Sequence, residues 1–355
     1  MNKIINILKE EKSIPLDKFI NIALYDRKFG YYMNSNPFGK QGDYITSPLV
    51  SDLFGEMIAI WCIAFWENLG KPKKFLLVEL GPGDGSLCKV LLNVFKNFKE
   101  FYNCLEINLL EISDVLIKIQ KKNIKNKKVK WIKKIDKIKF GPIMFLGNEF
   151  FDSLAIKQVF KKNNVFLEKY ISLSKDRKKL EFLYKKADKD VIKKIIQLNI
   201  NCKNSIIEYP NDAILYLNAV AKNIKKYGGG LLAFDYGYTK IKGGDTLQSI
   251  KKHKFVDVLS EPGKSDITSH INFDLFVKIL KKNNLIAERI VTQNEFLQKL
   301  GIIERANILS KKMTFKDKAE MFYKLKRLLH HEEMGKLFKV MFAKKKNEKF
   351  SLGFK

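Results

Sequence analysis

Arginine is scarce in this chain of 355 residues: only five (Arg27, Arg177, Arg289, Arg305, Arg327) stand among 67 basic residues, so 62 are lysine. The planar guanidinium fork is the preferred reader of phosphates and base edges. Its scarcity argues against a dedicated nucleic-acid surface, despite a net charge of +29. Lysine, asparagine, isoleucine and phenylalanine are abundant while proline is limited to 8 residues, as an AT-rich coding sequence would give. Cysteine is also sparse. Cys62, Cys88, Cys104 and Cys202 form no C-x-x-C pair, which argues against a zinc site and a disulfide framework and suits a reducing compartment. No long apolar run is present. The longest, Met57 to Trp66, is half of the ~20 residues that a spanning helix needs. Glu10 and Glu11 precede any apolar stretch, so no targeting peptide is expected and the chain reads as cytoplasmic and bacterial in type.

What is present describes a folded protein. Hydrophobic residues make up 46% of the chain and aromatics 12%, enough for a sizeable core in one large domain or two. Residues 1–70 read as a helical segment with a loop from Arg27 to Gln41 and a long apolar helix from Ser51 to Leu69. Phe75–Leu80 is a continuous apolar run of the kind that parallel strands show when both faces are buried. Strands are then expected at Leu105–Ile112, Val129–Ile132, Ile143–Leu146 and Leu231–Phe234, with helices at Ser86–Phe98 and Asp114–Lys122. This alternation predicts an α/β fold with crossover units on a Rossmann-like parallel sheet. The domain reading is a lid segment at 1–70 and a core at 71–355. The core carries an antiparallel insertion at about 157–200 and a helical one at about 293–331. Gly243 to Asn272 reads as a long, mostly irregular polar stretch, and such ordered loops are usually functional.

Glu79-Leu80-Gly81-Pro82-Gly83-Asp84-Gly85 is the sharpest local signal. Glycines between a strand and a helix let backbone approach a ligand closely. The spacing is G-x-G-x-G rather than the dinucleotide G-x-G-x-x-G, and Glu79 precedes the first glycine by two residues. A carboxylate there repels a pyrophosphate. It suits a cationic ligand that also bears hydroxyls, such as S-adenosylmethionine (SAM). Glu111 closes the next strand, where a ribose-binding acid belongs. The plain alternative is a tight turn with a surface acid.

With Glu111-Ile112-Ser113 and Gly147-Asn148-Glu149-Phe150-Phe151-Asp152 following in order, these motifs resemble class I SAM-dependent methyltransferases of the MidA type. That family includes the mitochondrial assembly-factor methyltransferase of respiratory complex I. Gly30-Tyr31-Tyr32, Gly42 to Pro48, Asp235-Tyr236-Gly237, Gly244 to Leu247, His253 to Phe273 and Met334 to Val340 extend the resemblance over nearly the whole chain. Asp84 stands where a basic or other polar residue is expected in many relatives.

The resemblance implies SAM as cofactor and a protein substrate, with eukaryotic members acting on arginine of a complex I subunit. It places Glu79, Gly81, Gly83, Gly85, Glu111, Asn148 and Thr46 around the cofactor. Glu149 and Asp152 become a carboxylate pair that orients a guanidinium and receives its proton. The plain readings make Asp152 a helix cap and Glu149 a loop acid. Asp43, Thr46, Ser47 and Glu56 read as a lid, with capping of the Ser51–Leu69 helix as the alternative for Ser47 and Ser51. His253 and His270 are candidate bases, though loop histidines more often serve structure. A non-catalytic assembly factor or an RNA methyltransferase are the competing functions. No metal is expected, nucleic acid is an improbable partner, and oligomeric state stays open.

Overall fold

The computed structural model describes every residue except 1, 40–41, 44–45, 164, 201–205 and 240–243. The chain forms two compact units. The larger comprises Ile45–Phe150, Asn218–Gly237 and Leu280–Lys355, and the smaller Met1–Tyr44, Phe151–Leu217 and Tyr238–Ile279. The N-terminal 70 residues are therefore divided between the units.

The larger unit is organised by one sheet. The strands on its main path are β1 (Phe75–Leu80), β2 (Leu105–Leu110), β3 (Val129–Ile132), β4 (Ile143–Asn148), β5 (Gly229–Tyr238), β6 (Leu285–Ala287) and β7 (Phe338–Lys345), and the short Val291–Thr292 also pairs with β7. Their spatial order is β6-β7-β5-β4-β1-β2-β3. The five strands from β5 to β3 are parallel, and β7 runs antiparallel between β5 and β6. β1 is buried at all six positions, which is why its sequence is a continuous apolar run broken only by Glu79. The Asp52–Asn68 helix is apolar nearly all round and is correspondingly buried. Its N-cap is Ser51, whose side chain accepts from Leu53 N–H. Trp61 anchors the aromatic core, edge-on to Phe342 of β7 at 4.8 Å, while its indole N–H donates to Leu352 O. Cys88 is fully buried in this core.

The helical insertion expected at about 293–331 consists of three helices: Gln293–Lys299, Ile302–Ser310 and Phe315–Leu329. Gly301, left-handed at φ +80°, breaks the first from the second.

The smaller unit contains the expected antiparallel insertion. Lys157–Lys162 pairs with Val165–Leu173, which pairs with Leu180–Lys186. Ile206–Tyr209 extends the other side of Lys157–Lys162. Ser13–Pro15 joins as a further strand against Val165–Leu173, too short and too close to proline to register in the sequence pattern. The mostly irregular polar stretch also carries a small three-stranded sheet. Gln248–Lys251 pairs with both Lys254–Val256 and Asp266–Thr268. A two-residue turn makes this possible: Lys252 and His253 both have positive φ, of 49° and 60°, the geometry of a tight hairpin. Gly243, the first residue of that stretch, lies outside the described residues.

Candidate functional site

In the larger unit the sheet order reverses at β1 and β4, because β1 leads outward to β2 and β4 to β5. Crevices at the carboxyl ends of such strands are where open parallel sheets bind ligands. The glycine loop leaves β1 there, and Asn148-Glu149-Phe150 leaves β4 beside it. Gly81, at φ +60°, has no room for a side chain: a Cβ would lie 2.8 Å from the Phe150 ring. Gly83 and Gly85 are also left-handed, at φ 58° and 85°. Gly85 caps the Ser86–Phe95 helix, and a Cβ on it would meet Ile124 at 2.7 Å. Three glycines in positive φ within five residues require the G-x-G-x-G spacing.

Glu79 is buried at the end of β1, and one of its oxygens, Oε2, has no hydrogen-bond partner among the described residues. Burial, and secondarily the Asp84 carboxylate, push its pKa up to about 8. A buried carboxyl without a partner is unfavourable alone and becomes favourable beside a cation. Asn148 Oδ1 is likewise buried without a partner among the described residues. These orphaned acceptors, on either side of the glycine loop, fit the positive sulfonium and ammonium groups of SAM.

Glu111 follows β2. Its Oε1 accepts Ser113 N–H at 2.8 Å and its Oε2 accepts Gln120 Nε2 at 3.2 Å. Burial raises its pKa in spite of these bonds. Gln120 was missed in the sequence. It is fully buried on the Asp114–Asn123 helix and donates also to Gly83 O at 2.7 Å. Its own oxygen accepts the Trp131 indole N–H at 2.9 Å. One amide therefore ties the glycine loop to the second acid. The signal was available, since Gln120 lies between Leu116 and Ile124 at helical spacing on the buried face.

Glu149 has left-handed backbone, at φ 51°, and its N–H donates to Phe234 O of β5. Its Oε1 accepts Ser47 N–H at 3.1 Å and Asn148 Nδ2 at 3.2 Å. Ser47 is itself held by Gln293 at 3.1 Å, and Gln293 donates to Leu328 O. Ser47 is thus a buried anchor rather than a cap. Thr46, buried, is the N-cap residue of the short Ser47–Val50 helix. Glu56 pairs with Arg305 at 2.7 Å. The larger unit therefore holds Glu79, Gly81, Gly83, Gly85, Glu111, Asn148, Thr46 and Glu149.

Asp152 belongs to the smaller unit. It is buried and acts electrostatically on Asp266, whose pKa burial and then the Asp152 charge push up to about 8. Tyr32 donates to Asp266 at 2.8 Å and stacks on Tyr25, whose hydroxyl donates to Ser153. Asp43 accepts the Tyr31 hydroxyl at 2.5 Å and Lys252 N–H at 2.6 Å, so it braces the hairpin turn. His253 is an exposed residue of that turn, which accounts for its place in the sequence without any base chemistry. His270 N–H donates to Thr246.

Residues 57–291 match a sequence-family model described as S-adenosyl-L-methionine-dependent methyltransferase. A relative from Xenopus tropicalis, named protein arginine methyltransferase NDUFAF7, mitochondrial, is 30% identical over 96% of this chain and 84% of its own. The NDUFAF7 homolog of Caenorhabditis elegans, also named a mitochondrial protein arginine methyltransferase, is 33% identical over 78% of this chain and 70% of its own. A solved structure from Burkholderia thailandensis, bound to S-adenosyl-homocysteine, superposes with a TM-score of 0.80 at 20% identity, covering 99% of this chain and 90% of that one. That likeness establishes the fold. The curated relatives correct one expectation. They are mitochondrial by name, so the cytoplasmic assignment, which rested on composition and the N-terminal residues, does not stand. Among the described residues, no helix is long and apolar enough to cross a membrane.

Proposed function

This chain belongs to the MidA-type family of SAM-dependent methyltransferases, and on that premise we propose that it methylates an arginine side chain of a protein, a respiratory complex I subunit foremost. The observation that carries the reading is Glu149. A partly buried carboxylate sits at the carboxyl end of β4, next to the glycine loop, with its direction fixed by two donors. The names of the relatives support arginine as the acceptor, and the choice of complex I rests on the family resemblance read in the sequence.

Bound SAM supplies a methyl group activated by its sulfonium. Glu79 and Asn148 offer acceptors to its cationic end, and Glu111 offers carboxylate oxygens to the ribose hydroxyls. Glycines 81, 83 and 85 let the backbone come close without side-chain obstruction. Glu149 pairs with the guanidinium, aims one nitrogen at the methyl, and takes the proton released as the bond forms. Arginine is too basic to lose that proton to water unaided, so a positioned carboxylate is needed. The left-handed backbone at Glu149 is a cost consistent with a functional position. Asp152 is carried as a second proposed acid and is tested by itself, through Asp152→Asn.

Incubation with SAM and purified complex I subunits, followed by peptide mass spectrometry, is expected to reveal a methylated arginine. Glu149→Gln is expected to slow transfer by roughly 10²–10⁴ with SAM affinity little changed. Undiminished transfer by that variant would remove Glu149 from the role. Binding of a subunit without methylation would favour a non-catalytic assembly factor instead.

A further inference from the structure

The Leu180–Lys186 strand is the outer strand of the antiparallel sheet in the smaller unit, paired with Val165–Leu173 on its inner side. Every residue from Glu181 to Lys186 is exposed. Among them are three large apolar side chains, Phe182, Leu183 and Tyr184, at 39%, 38% and 47% exposure. An exposed, regular edge of this kind is a template for another strand.

The ladder shows which backbone groups are available. Ala187 N–H donates to Phe166 O and Ser174 N–H to Lys179 O, so the odd-numbered residues point their polar groups inward. By the antiparallel alternation, Leu180, Phe182, Tyr184 and Lys186 point N–H and C=O outward. The charge around this edge is one-sided. Lys175, Arg177, Lys178, Lys179, Lys185 and Lys186 stand against Asp176 and Glu181 across the turn and strand, and all eight are exposed. A chain of net charge +29, with this excess at the edge, repels a second copy and attracts an acidic strand.

We propose that the Leu180–Lys186 edge docks an extended, acidic segment of the protein substrate by strand addition. Backbone bonds to residues 182 and 184 supply register, the Phe182 and Tyr184 rings supply apolar contact, and the lysines select for acid. The proposal rests on the reading that the substrate is a protein.

The probe is a fluorescein-labelled peptide of alternating valine and glutamate around a central arginine, with a lysine-for-glutamate peptide as comparator. Anisotropy is read without SAM, so that docking is measured separately from methyl transfer. The acidic peptide is expected to bind and the basic one not. Tyr184→Pro removes one outward N–H and is expected to weaken binding about tenfold, with SAM affinity by calorimetry unchanged as the check on folding. The double variant Lys185→Glu, Lys186→Glu keeps the strand, brings the charge of this edge to zero, and is expected to abolish the preference for the acidic peptide. Three results would overturn the proposal. The acidic peptide fails to bind, or both variants bind it as the parent does, or ultracentrifugation finds a dimer that Tyr184→Pro dissociates. Docking without methylation of the peptide would instead count only against the arginine assignment.

Discussion

At the residue scale, the site is governed by two buried acids that differ in how they are satisfied. Glu79 is held with one oxygen unpartnered among the described residues and a pKa of about 8, against an ordinary value of 4.5. Between those two values the folded chain without cofactor holds a proton that the unfolded chain has lost. The contribution of this group to stability is therefore complete below pH 4.5 and declines as the pH rises through 8. Glu79→Gln is expected to be the more stable protein at pH 8.5 and indistinguishable from the parent near pH 4, by urea unfolding at both values. SAM, a cation, draws the proton off, so its affinity is expected to rise from pH 6 to pH 8.5 and to lose that dependence in Glu79→Gln, by calorimetry. Glu111 is stabilised differently, through Gln120. Gln120→Leu strands Gly83 O, Glu111 Oε2 and the Trp131 N–H. It is expected to cost about 2–4 kcal/mol in chemical unfolding and to weaken SAM binding. A loss of stability without a loss of affinity would show that Gln120 serves only the fold.

At the scale of the element, Gly301 separates two helices inside the insertion that the sequence marks only as helical. Its φ of +80° needs no side chain, and a Cβ there meets nothing closer than Glu304 at 3.5 Å. Gly301→Ala is expected to cost about 1 kcal/mol, from the backbone alone, by thermal unfolding. The sheet was legible because β1 and β4 are buried on both faces and so read as apolar runs leading into glycine or acid. Glu79 and Glu111 were legible for the same reason, being fixed relative to strand ends. Features set by distant partners were not. Ser13–Pro15 is a strand only because Val165–Leu173 lies beside it. The long polar stretch holds a hairpin because Lys252 and His253 accept positive φ and Asp43 braces them. Gln120 and Gln293 carry no motif, and their importance lies in three-dimensional neighbours. Glu149 and Asp152 are three residues apart in sequence, yet the compact units divide between Phe150 and Phe151.

For the whole molecule, the dominant quantity is charge. Lysines cover the outer faces, while the groups around the glycine loop are acidic or neutral. On the proposed reading, a cationic cofactor thus meets carboxyl and amide oxygens on a strongly positive protein. Self-repulsion at a net charge of +29 opposes compactness, and salt screens it over a Debye length of about 10 Å at 0.1 M. The melting temperature is therefore expected to rise between 0.02 and 0.3 M sodium chloride, in a calorimetric scan. A flat or falling response would mean that surface ion pairs such as Lys130–Glu106 outweigh the repulsion.

The position of β7 bears on how the chain matures on the ribosome. β6 precedes β7 in sequence but reaches the sheet only through it, since β7 lies between β5 and β6. Residues 285–287 therefore have no strand to join, and the Trp61 ring no Phe342 to pack on, until Phe338–Lys345 has been synthesised and has left the exit tunnel. Up to that moment β5 carries an unzipped edge, open to wrong partners. Completion of the methyltransferase sheet is thus a late event, and nascent chains stalled before residue 338 should be captured by chaperones and cut readily by proteases.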